Sequence, residues 1–266
     1  QVGEALPVGA KSAIYNEVLG NFSDVRNFIA NGGQKGVQRP VLTPGSLLPL
    51  HPAAFIVLTP NRVYGMPTTP DLVNLAKHGR LTPSAFGLEP AQLSVTVIAP
   101  QGNSDYVGIV TALEGLPLDK GDIASRLGGY GDILTAEQAG ASDAEVVEQL
   151  LASQNSAHNN YQDFQRFLDH GGRIGLQHDP LLYGAYLLNP FLVRVELVPM
   201  LVVNQGQVAV VKSFVGLPTI DTSGQEFKFG SIVAPGHRGI WREPLRTGKY
   251  PINPRCYAAE IVPTSI

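Results

Sequence analysis

The chain has 266 residues, 44% of them apolar and 15% charged, with a net charge of −3. That length fits one large domain or two to three small ones, and the apolar share is too high for a globally disordered chain. The charge balance leaves no electrostatic footprint for nucleic acid, so no nucleic-acid partner is expected. Cys256 is the single cysteine, which excludes an intrachain disulfide and a cysteine-based zinc site; it reads as a small buried apolar residue. The most apolar run, "YLLNPFLVRVELVPMLVV", is broken by Asn189, Pro190, Arg194 and Glu196, so no segment reads as a spanning helix. The first residue is Gln1 and no signal-peptide pattern follows it. The chain is therefore expected to be a piece of something longer.

In chain order, the first element is "GEALPVG", which reads as a repeat entered mid-unit. Phe22, Val25, Phe28 and Ile29 follow at helical spacing, and Gly32 suits a left-handed C-cap. Next comes "GQKGVQRPVLTPGSLLPLHP", with Gly33, Gly36, Gly45 and Pro52, then the strand-like "FIVLTP". The connecting segment predicts a helix over 70–78, stopped by Gly79, and a strand over 93–99.

The pattern then recurs. "VGIVTALEGLP" (107–117) is a strand followed by a glycine turn. Within the following insertion, Ser142 and Glu145 form a capping-box pattern, and Val146, Val147, Leu150 and Leu151 give a helix one apolar face. "GGYGDIL" (128–134) lacks the Lys-Ser/Thr of a phosphate loop and reads as a turning segment. Tyr161, Phe164, Phe167 and Leu168 match the first helical stretch, with Gly171 as its cap. "GRIGLQHDPLLYGAYLLNP" carries Gly172, Gly175, Gly184 and Pro190, and "FLVRVELVP" follows it.

The third copy is "VAVVKSFVGLP" (208–218), then "GHRGIWREPLRTGKYPINP" with Gly236, Gly239, Gly248 and Pro254, then "CYAAEIVPT". The spacing G-x2-G-x8-G is the same in all three copies. Glycine permits the positive φ that tight turns need, and the x-Pro pair halts a strand ladder. After the proline, Phe191, Val193, Val195 and Leu197 should share one face, as should Tyr257, Ala259 and Ile261. The predicted fold class is mostly β with a few short helices, a β-rich α+β protein of tandem small antiparallel modules. The predicted domains are repeat one over 1–65, a connecting segment over 66–104, repeat two over 105–203 with a helical insertion at 126–170, and repeat three over 204–266. A module this small gains stability by packing on its neighbours.

Candidate chemistry is sparse. The histidines lack strong metal-ligand spacing, and there is no nucleophile-elbow motif. No catalytic, cofactor-binding or metal-ligating residue is assigned, and no cofactor is expected. His158, His170 and His178 cluster in sequence beside Asp169 and Asp179; they read as a metal site or as solvated and capping side chains. Arg39, His178 and Arg242 occupy one repeat position. They read either as a row of contacts to an acidic partner or lipid headgroup, or as cross-strand ion pairs and solvated strand faces. Trp241 reads as an interface anchor or as a half-buried strand aromatic.

The third repeat resembles the start of the bacterial flotillin-like SPFH (band 7) proteins. The resemblance rests on the V-x-V-V strand, a Gly-rich turn, "PGHRGIWREPLRTGKYPINP" and "EIVPT". The second repeat, with "NNYQDFQRFLDHGGRIGLQ" and "YLLNPFLVRVELVP", is similar to the repeat that precedes this region in longer members. Tandem β modules of this kind also resemble, more distantly, those of the vault shell protein. The resemblance implies a non-enzymatic, homo-oligomeric scaffold that forms rings or cages, organises membrane microdomains and attends a membrane protease or another membrane protein. It places the protein at the bacterial inner membrane, with lipid contact through an anchor before Gln1 and a coiled coil beyond Ile266. Two other classes stay open: a soluble ligand- or peptide-binding β module with an edge at "LVRVELVPMLVV", and an enzyme using the His- and Asp-containing insertion.

Overall fold

The middle glycine of each repeated run, Gly36, Gly175 and Gly239, has a positive φ of 108°, 101° and 143°. Few L-residues tolerate that backbone. In this computed structural model, which describes residues 1–220 and 230–264, a second glycine closes the same turn from the other side. Gly3, Gly115 and Gly216 also have positive φ. A Cβ on them would lie 2.1, 2.7 and 2.2 Å from the carbonyl oxygens of Gly33, Gly172 and Gly236. That close approach lets the next residue bond across the turn. Glu4, Leu116 and Leu217 donate their N–H groups to those carbonyls at 2.9, 3.0 and 2.9 Å. Their own carbonyls accept from Lys35, Ile174 and Arg238 at 2.8, 2.9 and 3.0 Å. The same pair of hydrogen bonds is thus built three times.

Two compact units carry these turns. The first comprises Gln1–Thr96, His158–Phe167 and Ala185–Val193. It holds β1 (Ser12–Ala13), which pairs in parallel with β2 (Val37–Gln38), and the antiparallel pair β3 (Val57–Leu58) and β4 (Val63–Tyr64). Its helices are α1 (Val25–Ala30), capped by the Asp24 carboxylate, and α2 (Pro70–Lys77), which ends before Gly79 as predicted. Leu19, Phe22 and Phe28 form its core, with Phe55 edge-on to both rings. Phe22 lies outside the predicted helical face: it precedes the cap with φ 68°. Tyr161, at the matching place in repeat two, does the same with φ 63°. Both rings still meet the phenylalanine one helical turn inside, at 5.9 Å (Phe28) and 5.3 Å (Phe167).

The second unit comprises Val97–Ala157, Leu168–Gly184 and Arg194–Ile266. β5 (Thr96–Ile98) enters it and β6 (Tyr106–Ala112) follows. The sheet order is β7 (Gly175–Leu176), β6, β9 (Val193–Pro199). After β8 (Gly184–Tyr186) and β10 (Leu201–Val203), a four-stranded sheet runs β12 (Ile232–Val233), β13 (Gly239–Trp241), β11 (Gln207–Ser213), β15 (Tyr257–Pro263). β14 (Gly248–Tyr250) pairs antiparallel with β10. β12 joins β13 in parallel; with strands this short, residues 234–238 suffice for the return. Strand content exceeds helix content, 26% against 20%, so the fold is a β-rich α+β arrangement of small sheets.

Sequence periodicity overstates how much of β15 is covered. Tyr257 is buried, but Ala259 and Ile261 are exposed. The strand lies at the sheet edge, and only its first residue reaches the core. α3 (Gly131–Gln138) starts inside the segment read as a turn, and α4 (Asp143–Leu151) carries the predicted capping box between Ser142 and Glu145. Ile133, Val146 and Leu150 from these helices join Ala209, Val211, Val233 and Trp241 in one core. α5 (Phe164–Asp169) completes the α-helices among the described residues. Part of the third repeat, residues 221–229, within which its Gly-rich turn was expected, lies outside the described residues.

Gly216→Ala should lower the unfolding free energy by about 3 kcal/mol, since it adds backbone strain and a carbonyl clash. Gly206→Ala, at φ +78° with open space around it, should cost only about 1 kcal/mol. Urea unfolding followed by Trp241 fluorescence checks the difference, and equal losses would contradict the close-approach argument.

Candidate functional site

Each x-Pro corner is a small backbone hook. The carbonyl of residue 51, 189 or 253 accepts two N–H groups, from the third and fourth residues on, at 2.9–3.1 Å. In the second and third copies the hook residue is asparagine, and its Oδ1 accepts from the N–H of Phe191 or Arg255. The side-chain nitrogen remains to be satisfied, and it reaches backwards to the preceding repeat. Asn189 Nδ2 donates to the Gln38 carbonyl at 2.9 Å, within the first unit. Asn253 Nδ2 donates to the Gln177 carbonyl at 2.9 Å, within the second. Gln38 and Gln177 hold equivalent positions, and each curls its own amide onto its glycine turn. Gln38 Nε2 bonds the carbonyls of Gln34 and Gly36, and Gln177 Nε2 those of Arg173 and Gly175. The same lock therefore joins repeat two to repeat one and repeat three to repeat two.

Around the second lock lies a buried polar chain. His178 Nδ1 is 2.6 Å from Asp179 Oδ1, and His178 Nε2 is 2.6 Å from the Tyr257 hydroxyl. Burial pushes the Tyr257 phenol well above its usual range, so it stays protonated and donates. A neutral imidazole protonated at Nδ1 then satisfies both bonds. The other Asp179 oxygen accepts the Gln154 N–H at 2.8 Å, and Asn155 Nδ2 donates to the Pro180 carbonyl at 3.1 Å. His178, Asp179 and Tyr257 are 3%, 6% and 2% exposed, and the cavity beside them holds only ≈ 10 Å³. An aspartate–histidine–hydroxyl chain can relay protons, but a substrate needs far more room. Here it fastens the seam. Burial raises the neighbouring Cys256 thiol to about 12, which leaves no thiolate for nucleophilic work at neutral pH. Exposed ion pairs span the same seam, Arg255 with Glu196 and Lys249 with Asp105.

The three residues at the shared basic position have different surroundings. Arg39 is 9% exposed and donates to Ser12 Oγ and Gln165 Oε1 at 2.9 and 2.5 Å. His178 is buried in the seam. Arg242 is half-exposed and pairs with both carboxylate oxygens of Asp143, at the first turn of α4. Trp241 is buried at 2% and stacks edge-on to Tyr257 at 5.5 Å. Of the glycines, Gly33 and Gly236 lie where a Cβ would strike Phe28 or Ile133, and Gly45 sits in an open turn with φ 77°. Gly172 supplies the carbonyl that receives Leu116, while Gly184 and Gly248 open β8 and β14. Pro52, Pro190 and Pro254 follow the three hook residues. His158 belongs to an aromatic cluster of the first unit with Tyr161 and Phe167, His178 belongs to the second unit, and His170 is exposed. No group of three or more metal-ligating side chains occurs among the described residues.

Sequence reasoning missed the locking residues Gln38, Gln177, Asn189, Asn253 and Tyr257. Two signals were present: glutamine at the same place in copies one and two, and Asn-Pro in copies two and three. Also missed was Arg126, 5% exposed, whose guanidinium makes two bonds to Asp132 at 2.6 and 2.8 Å. Burial opposes ionisation of Asp132, but the Arg126 bonds and charge outweigh it and hold the carboxyl below its usual range.

Comparison with known proteins finds no matching family model, no matching curated protein and no matching solved structure.

Asn253→Ala and Asn189→Ala should each lower stability by about 1–3 kcal/mol, because a buried carbonyl loses its donor; calorimetry checks this, and a neutral result in both would remove the lock. Asp132→Asn should lower the melting temperature at pH 7. A carboxyl with a depressed folded pKa stabilises above its unfolded pKa and loses that contribution as pH falls through the folded one. The gap between variant and parent should therefore close below about pH 4, and a gap that persists there would contradict the ion-pair reading.

Proposed function

We propose that this chain is a structural scaffold of the SPFH type. Its β modules stack along the chain, and many copies assemble into a ring or cage that organises a membrane microdomain. One observation carries the reading: the seam between repeats is built twice with the same hook, the same glutamine carbonyl and the same hydrogen bond. Duplicated seams are what a stacked array requires, since each repeat gains its stability at the interface with the next. The Asp179–His178–Tyr257 chain is spent on the second seam, where burial keeps it from substrate. Membrane attachment, bacterial inner-membrane location and a protease or other membrane protein as partner follow from the sequence resemblance. No helix among the described residues is long and apolar enough to cross a membrane; the anchor that this reading calls for follows from the sequence resemblance alone.

A second reading, a soluble ligand- or peptide-binding module, draws on a cleft of ≈ 710 Å³ in the second unit, a size that suits small ligands. Detergent extraction of the natural protein from its membrane, followed by mass photometry and negative-stain imaging, separates the two. The scaffold reading expects a closed assembly of many copies in the membrane fraction. A monomer in the soluble fraction that co-purifies with a small molecule or peptide would overturn it.

A further inference from the structure

We infer that the outer face of the four-stranded sheet in the second unit docks a second copy of this chain, sheet against sheet about a two-fold axis. This rests on the homo-oligomeric reading above and specifies one of its contacts.

The sheet β12-β13-β11-β15 has two faces, which the alternation along its strands separates. Ala209 and Val211 of β11, Val233 of β12 and Trp241 of β13 belong to the inner face, whose core α3 and α4 complete. The strand register sets the outer face. Val208, Val210 and Lys212 of β11 lie opposite Val262, Glu260 and Ala258 of β15. On the other side Lys212 lies opposite Ile240 of β13, and Ile240 opposite Ile232 of β12. Phe214 extends the row, with its ring centre 5.7 Å from the Lys212 ammonium. A strand with one face in water alternates apolar and polar residues, whereas a strand covered on both faces is a continuous apolar run. β11 is of the second kind over Val208–Val211. Yet Val210, Phe214, Ile232 and Val262 on this face are 36%, 43%, 41% and 38% exposed.

Two charges stand among these apolar side chains. Lys212 and Glu260 sit on neighbouring strands, one diagonal step apart. Arg126, Arg238, Arg242 and Arg255 of the same unit each pair with a carboxylate of the chain. Lys212 and Glu260 form no ion pair with a described residue. A two-fold axis in the plane of the contact, running between these two side chains, sets each Lys212 over the second copy's Glu260. Both charges are then answered reciprocally, and the apolar rows close around them. The acyl region of a lipid surface would answer neither charge, so a second copy fits this face better. Four strands about 4.8 Å apart give a face on the order of 400 Å², below the ~800 Å² per partner of a standard interface. The contact is therefore weak by itself and gains strength where many copies are held together.

Sedimentation velocity of the full chain across roughly 10–500 μM tests the contact. The unmodified chain should pass from monomer to dimer. Lys212→Glu and Glu260→Lys each set like charges against each other, and each should weaken the dimer about tenfold or more. Both positions are exposed in the single chain, and circular dichroism checks that the variants fold. An equimolar mixture of the two variants restores both ion pairs between unlike chains, so it should recover the original dimer, as should the double variant. A dimer unchanged by either charge reversal, or not recovered in the mixture and the double variant, overturns this face and leaves the scaffold reading standing on another contact. A chain that stays monomeric throughout also overturns the face, and imaging of the membrane-extracted protein then decides the scaffold reading separately. Flotation with phosphatidylcholine vesicles by a chain that does not dimerise assigns the face to lipid and overturns the second copy as occupant.

Discussion

The structure depends on one hydrogen bond made twice: an asparagine amide, fixed by the proline that follows it, donating to a glutamine carbonyl of the preceding repeat. Each part of the motif serves that bond. The proline and its backbone hook fix the asparagine, whose own oxygen is held by the second residue on. The glutamine amide is tied to its glycine turn, which holds the accepting carbonyl in place. The glycine turn exists because two glycines with positive φ let two backbones approach within hydrogen-bonding distance. A small module cannot bury enough surface alone, so the bond that aligns it with its neighbour also governs how much core it gains.

Variation around that invariant bond gives each seam its own character. In the first unit, Arg39 fills the space beside the lock and is held by Ser12 and Gln165. In the second unit, His178 takes that place and links Asp179 to Tyr257. In the third repeat, Arg242 at the same position swings to Asp143 on α4, and Trp241 replaces the glutamine and packs on Tyr257. The turn and hook geometry is common to all copies, while side chains at one position serve guanidinium bonds to neutral acceptors, a buried chain that fastens the seam, or a half-exposed ion pair. That pattern supports the building-element reading proposed above, since a reaction site would hold side-chain identity and not backbone shape constant.

Much of the fold class was legible because glycine and proline act on the backbone directly. The G-x2-G-x8-G spacing marks turns that only such residues build, and the cap at Ser142 announces α4. The rest was hidden for physical reasons. Phe22 and Tyr161 adopt positive φ although they are aromatic, because the turn before the capped helix demands it, and no propensity signals this. α3 begins at Gly131 behind two glycines, so its helical start reads as a turn. The edge position of β15 leaves a good apolar alternation uncovered. Of the seams, the letters were visible, but each partner lies 76 to 151 residues away in sequence, and only folding brings the copies into register. Arg126 and Asp132 were unreadable for a similar reason: their pairing depends on how α3 turns out of its glycines.

The central claim is that repeats two and three form one cooperative body through their seam. Native-state hydrogen exchange on the unmodified chain, read by mass spectrometry, tests it most directly. Peptides covering 107–112, 174–178, 207–213 and 257–262 should lose protection together, at one common opening free energy. If 207–213 and 257–262 exchanged independently of 107–112 and 174–178, the seam would be a contact without consequence and the account would be wrong.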